Sequence, residues 1–137
     1  MSTEGQEPFD PMKILADIPN APTKAHIDSW KAQVPNGIIR VFPASGKRVF
    51  FLRGITGLEM RKMQEKILPG APNPEQEFQL LALEAACVWT NLTADHKLTA
   101  EYLRTATAGL PFTLWAIVES LSDFIPPQQL YEMTFDL

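Results

Sequence analysis

The order of apolar and polar positions divides the chain into four stretches of different character. In residues 1–36 apolar side chains are sparse and prolines frequent, at Pro8, Pro11, Pro19, Pro22 and Pro35. Each proline removes a backbone donor and biases its predecessor toward extended geometry, which predicts an extended N-terminal arm. One apolar set, Met12, Ile14, Leu15 and Ile18, interrupts it. Asp10-Pro11 ahead of that set offers an N-cap with proline at the first helical position, so about two turns of helix are expected. A helix that short is unstable by itself, so the segment is either a solvated leader or an arm that docks on its own domain or on a neighbouring subunit. Ile27 and Trp30 favour docking, because a solvated linker has little use for a tryptophan.

Residues 37–53 switch to strand-like patterning. Gly37-Ile38-Ile39-Arg40-Val41-Phe42 and Arg48-Val49-Phe50-Phe51-Leu52-Arg53 are β-branched and aromatic runs. A proline–glycine segment, Pro43-Ala44-Ser45-Gly46-Lys47, separates them, which predicts a β-hairpin with Gly46 available for a positive φ. Two strands are marginal alone, so the hairpin must lie against helices or another chain's sheet.

From residue 54 to 125 the period becomes helical. Thr56-Gly57-Leu58-Glu59 fits a capping box, and Leu58, Met60, Met63 and Ile67 follow at helical spacing until Leu68-Pro69-Gly70 stops the run. Asn73-Pro74-Glu75-Gln76 opens a second helix, with proline first and Gln76 completing a second box. Its apolar face, Phe78, Leu81, Ala82, Ala85, Val88, Trp89 and Leu92, makes it the expected central helix. Thr99 caps a short helix over 100–108 with Gly109 as terminator. Pro111 opens a last helix with Phe112, Trp115, Val118 and Leu121 or Leu114 inward, ending over 123–127. Residues 126–137 then carry Leu130, Tyr131, Met133, Phe135 and Leu137, too apolar a set to be idly solvated. The expected fold is mainly α with a small β element (α+β): arm 1–36, hairpin 37–53, a compact bundle of about four helices over 54–125, and an apolar C-terminal segment 126–137.

Composition narrows the function classes. The 137 residues carry a net charge of −4, with no basic footprint for phosphates, so neither nucleic acid nor an acidic membrane surface is an expected partner. No run approaches the ~20 apolar residues of a membrane span, and Met1 to Asp10 lacks the apolar core of a secretory signal. One cysteine, Cys87, excludes a disulfide within the chain and suits a reducing compartment. The triplet Asn91-Leu92-Thr93 fits a glycosylation acceptor but has no secretory context. Gly46-Lys47 joins two strands and lacks the spacing of a phosphate-binding loop.

Catalytic chemistry finds no pattern. Two histidines, His26 and His96, are too far apart in sequence for metal-ligand spacing and read as solvated groups. A Cys87–His96 pair is formally available, but Cys87 sits among Ala85, Ala86, Val88 and Trp89, where a small buried thiol is ordinary. Ser45, Ser120 and Ser122 lack a nucleophile-elbow setting, and Glu84 with Glu119 reads as solvated or salt-bridged rather than as an acid pair. No catalytic, cofactor or metal residue is expected.

The layout over residues 47–124 is similar to that of the small tail assembly chaperones and baseplate-hub assembly proteins of tailed bacteriophages. The likeness rests on Val49-Phe50-Phe51-Leu52-Arg53-Gly54-Ile55-Thr56 leading into Gly57-Leu58-Glu59-Met60-Arg61-Lys62-Met63. It continues with Ala82-Leu83-Glu84-Ala85-Ala86-Cys87-Val88, Ala108-Gly109-Leu110-Pro111-Phe112 and Ile117-Val118-Glu119-Ser120-Leu121-Ser122-Asp123-Phe124. The proline-rich arm and the apolar C-terminal stretch depart from these patterns. The resemblance implies a non-enzymatic protein that binds other phage tail proteins (hub, tape measure or tube) in the host cytoplasm, as assembly chaperone or as virion subunit in several copies. The residues expected to bind are Ile14, Ile18 and Trp30 in the arm, with Tyr131, Met133 and Phe135 at the end; each has an alternative as intramolecular core. A cytoplasmic adaptor using the hairpin edge or a helical groove is the other reading.

Overall fold

The computed structural model describes residues 11–45, 47–124 and 127–137. Its elements run α1 (Pro11–Leu15), α2 (Lys24–Lys31), a 3₁₀ turn (Pro35–Gly37), β1 (Arg40–Ala44), β2 (Arg48–Leu52) and α3 (Gly57–Lys66). They continue with α4 (Pro74–Ala86), β3 (Cys87–Thr90), α5 (Ala100–Thr105), α6 (Gly109–Leu121) and α7 (Pro127–Met133). The fold is mainly α with a small antiparallel sheet, as the patterning predicts, but the sheet has three strands in the order β1-β2-β3.

The third strand is the main correction. The expected central helix does not continue through Val88, Trp89 and Leu92; α4 ends at Ala86 and the chain turns extended. β2 is flanked by β1 on one edge only, and its other edge needs acceptors and donors, which a buried strand cannot leave unmade. Cys87-Val88-Trp89-Thr90 supplies them, with Phe51 opposite Trp89 and Leu52 opposite Cys87. That register skips Val88, which forms a bulge. An extra residue at a bulge shifts side-chain alternation, so Val88 and Trp89 both pack on the same side. Arg53 N–H then donates to Ala86 O (2.9 Å), carrying the pairing back to the end of α4.

In the hairpin, Ala44 lies opposite Arg48, so the turn is three residues (45–47) rather than the five expected. Pro43 belongs to β1, an edge strand, where a missing donor is tolerated. Gly46 lies outside the described residues; Lys47 takes a positive φ of 58°. Beyond β3, Asn91 closes the sheet with its side chain. Val49 N–H donates to Asn91 Oδ1 (2.8 Å) and Asn91 Nδ2 donates to Lys47 O (2.8 Å), so one amide replaces another residue of strand.

Alternation along β2 sends Phe50 and Leu52 to one face and Val49 and Phe51 to the other. The first face packs on the helices, where Leu83, Leu114 and Val118 are fully buried. The capping box of α3 is present, with Glu59 N–H to Thr56 Oγ1 (3.2 Å) and Thr56 N–H to Glu59 Oε1 (3.0 Å). Thr99 caps α5 through Tyr102 N–H (3.1 Å). The second box is not formed: Asn73 sits in the left-handed region (φ 53°) and makes no side-chain cap. Gly109 begins α6 instead of terminating α5, which ends at Thr105. Leu58 and Phe112, expected inward, are exposed (62% and 79%), because each lies two positions, about 200° round the helix, before a residue of the buried stripe, Met60 in α3 and Leu114 in α6.

Candidate interaction surfaces

The second face of the sheet is covered by the N-terminal arm. Leu15 and Ile18 are buried there with Val49, Phe51 and Trp89, and Ile14, Ile27, Trp30 and Val41 pack around them. Aromatic rings cross this face as a ladder. His26 stacks on Trp30 (centroids 6.3 Å apart), Trp30 meets Phe51 edge-on (6.0 Å), Phe51 meets Trp89 at 86° (5.8 Å), and Trp89 stacks on His96 (4.7 Å). Edge-to-face and offset pairs add about 0.5–1.5 kcal/mol each beyond their buried area, so the ladder gives the arm a defined seat. α2 is oriented locally by its own capping box, in which His26 takes the role usually held by Glu or Gln. His26 N–H donates to Thr23 Oγ1 (3.2 Å) and Thr23 N–H donates to His26 Nδ1 (3.3 Å).

Where β2 passes into α3, the backbone and one ion pair form a tight corner. Arg53 grips Glu59 with two parallel bonds, Nη1 to Oε1 (2.9 Å) and Nη2 to Oε2 (2.7 Å), and Nη1 also reaches Gly54 O (2.9 Å). The Arg53 hydrogen bonds hold the Glu59 carboxyl at about 2, well below its ordinary value, with the Thr56 amide helping against the opposing effect of burial. Gly54 lies so close to the end of α6 that a Cβ there would sit 2.4 Å from Leu121 O. Ser122 completes the join by accepting from Ile55 N–H (2.9 Å) while donating to Val118 O (2.7 Å). Trp30, Val34, Pro35 and Val88 face this corner across an open cleft of ≈ 670 Å³ that includes Arg53 and Glu59.

The chemistry-bearing residues are employed structurally. Cys87 is half-buried, its thiol donates to Trp89 O (3.5 Å), and burial pushes its pKa up to about 12, the opposite of an activated nucleophile. His96, expected as a solvated group, is instead half-buried, stacked on Trp89 with Nδ1 3.0 Å from Thr90 O. Glu84 accepts from Ala100 N–H (2.8 Å) at the start of α5. Among the described residues no group of three or more His, Cys, Asp or Glu is placed to hold a metal ion. Nor is any helix among them long and apolar enough to cross a membrane.

The six residues expected to bind a partner fall into two groups. Ile18 is buried (8% exposed), and Ile14 and Trp30 are half-buried, all on the chain's own sheet, the first of the two docking options the arm's sequence left open. Met133 and Phe135 are exposed, at 59% and 84%. The Tyr131 side chain, like Asp10 in the proposed cap of α1, lies outside the described residues. What sequence reasoning missed is the receiving half of the arm's seat: Val49, Phe51, Trp89 and His96. Val49 and Phe51 were legible as one face of an alternating strand, whereas Trp89 and His96 required β3 to be recognised.

No protein-family model, no curated protein and no solved structure matches the chain.

Proposed function

We propose that the chain is a non-enzymatic tail or baseplate assembly protein of a tailed bacteriophage, binding hub, tape-measure or tube proteins as an assembly chaperone or a structural subunit. It acts in the host cytoplasm during assembly and, as a subunit, stays in the virion. The observation that carries the binding reading is the apolar C-terminal stretch, in which Leu130, Met133 and Phe135 expose their side chains. Apolar side chains left in water this way lose free energy that a partner restores by covering them. The phage context rests on the sequence resemblance described above.

The test is co-purification of the full chain with the tube, hub and tape-measure proteins of the same phage. Met133→Ser with Phe135→Ser is expected to weaken capture at least about tenfold, the loss of two interface anchors, with the thermal midpoint unchanged. Undiminished capture by the double variant overturns the C-terminal surface, and no capture of any tail protein by the parent chain overturns the assembly reading.

The cleft at the Arg53–Glu59 corner favours a second reading, an adaptor that takes a partner segment in a groove walled by Trp30, Val34 and Pro35. Val34→Arg fills that cleft. Loss of binding in this variant alone, with the C-terminal double variant unaffected, selects the groove. The hairpin edge is a poorer candidate for strand addition, since Pro43 in β1 has no N–H to donate.

A further inference from the structure

We propose that Asn36 is a spontaneous modification site, whose side-chain amide hydrolyses to a carboxylate through a ring closed by Gly37, at a rate set by opening of the N-terminal arm. The inference stands apart from the tail-assembly reading.

The chain has four asparagines, and three are poorly placed for this chemistry. The reaction begins when the backbone nitrogen of the following residue attacks the side-chain Cγ. Pro74 after Asn73 has no N–H to lose. Ala21 after Asn20 and Leu92 after Asn91 carry a Cβ that crowds the attacking nitrogen. The Asn91 amide is also held at both ends, by Val49 N–H and Lys47 O (2.8 Å each). Asn36 is followed by glycine, which leaves the nitrogen unobstructed, and both residues are exposed.

The step needs only water. Gly37 N forms a bond to Asn36 Cγ, the Cγ–Nδ2 bond breaks, and the Gly37 amide proton leaves with Nδ2 as ammonia. Water then opens the five-membered imide. Attack at Cγ leaves aspartate on the original backbone; attack at the backbone carbonyl leaves isoaspartate, whose main chain runs through Cβ and Cγ. Nothing is oxidised or reduced.

The folded turn holds this reaction back. Asn36 and Gly37 form a consecutive left-handed pair (φ 59° and 65°), a conformation both residue types accept. Gly37 N–H donates to Val34 O (3.2 Å), and with Asn36 ψ at 5° the Gly37 nitrogen is turned away from the side chain it must reach. Ring closure therefore requires the turn between arm and β1 to open. The arm is seated by the packing of Leu15, Ile18 and Trp30 on Val49, Phe51 and Trp89, contacts that local detachment releases together.

The product opposes reclosure. Asn36 Nδ2 lies 3.5 Å from Asp123 Oδ2, at the outer limit of a hydrogen bond, and conversion sets a second carboxylate against the first. In the isoaspartate form one more methylene lies between the arm and β1, so the bond from Gly37 N–H to Val34 O and the seat of Trp30 on Phe51 no longer fit together. A converted chain leaves Val49, Phe51 and Trp89, now 1%, 3% and 6% exposed, open to water.

The experiment ages the full chain in mildly alkaline buffer and locates conversion by mass spectrometry of its peptides. Asn36 should convert ahead of Asn20, Asn73 and Asn91, and about tenfold faster in Phe51→Ala, which loosens the arm. Should that variant lose its far-ultraviolet helical signal, Trp30→Ala takes its place. In the converted chain, separated by ion exchange, amides of residues 11–35 should lose protection while α4 and α6 keep theirs. Asn36→Asp should speed exchange in the arm about fivefold, and adding Asp123→Asn should reverse that. Three results overturn the proposal: another asparagine converting first, equal rates in the parent and the loosened variant, or full arm protection in the converted chain.

Discussion

Phe50 and Phe51 are neighbours in one strand, yet they belong to two different parts of the molecule. Phe50 faces the helices and touches a core built from α3 to α6, fully closed to solvent. Phe51 is nearly as buried, at 3%, but its cover is the arm, two short helices joined to the sheet through the left-handed turn at Asn36 and Gly37. Equal burial therefore does not mean equal stability. The helical side is tied by long-range backbone and side-chain bonds such as Ile55 N–H to Ser122 Oγ, and it can open only by unfolding. The outer side can open by local detachment, which limits how much any single contact there contributes to global stability.

Substitutions at this pair separate the two sides, and the largest effect belongs to the inner one. Phe50→Ala should destabilise the whole domain by about 3–5 kcal/mol, with the arm and the helices lost in a single transition in urea. Gly54→Ala comes next, at about 3 kcal/mol, because its new methyl must displace the Leu121 carbonyl, which is backbone and cannot rotate aside. Chemical denaturation should show that loss, and an unchanged midpoint would mean α6 shifts freely against the β2–α3 corner. Phe51→Ala should cost about 2 kcal/mol or less, since the remaining penalty ends once the arm has detached. Amide exchange is its readout: residues 11–35 should lose protection while α4 and α6 keep theirs, and uniform loss would erase the distinction between the two faces.

A smaller effect belongs to the corner between them. Glu59 is held near 2 in the folded chain against an ordinary 4.5, so the unfolded chain takes up the proton first as pH falls. Its contribution is complete above the unfolded value and disappears as pH drops toward 2. Part of the group is solvated (29% exposed), so screening leaves about 1 kcal/mol. Unfolding free energies measured at about pH 5 and about pH 2 should differ by that much less in Glu59→Gln than in the parent chain. An identical acid response in both would show that Arg53 is not what lowers this carboxyl. The smallest effect is expected at Phe112, whose side chain is 79% exposed; Phe112→Ser should change stability by less than about 0.5 kcal/mol.

Local chemistry was readable without coordinates wherever a few neighbouring residues settle the outcome. The Thr56–Glu59 box, the Thr99 cap and Pro74 at the head of α4 depend on side chains within three positions of one another, and all are present. The alternation in β2 likewise shows that Phe50 and Phe51 must face opposite ways. The arm's apolar residues announced that it docks, though not on what.

Only tertiary structure decided the course of the chain after Ala86. Cys87-Val88-Trp89-Thr90 is apolar and follows a good helix, so periodicity alone continues the helix through it. The competing conformation gains its hydrogen bonds from β2, more than thirty residues earlier, and that non-local pairing outweighs the local pattern. Trp89 thereby moves from an expected helix face to the outer side of the sheet, where it receives Phe51 and His96. The glycine at 54 tells the same story, since its close approach to Leu121 has no trace in nearby residues. By itself the sequence determined the Thr56 and Thr99 caps, the hairpin and the amphipathic segments, because those are set by neighbours along the chain, although the equally local Asn73–Gln76 box did not form. The seat of the arm, the third strand and the corner at Gly54 were decided by packing between segments that the sequence holds far apart.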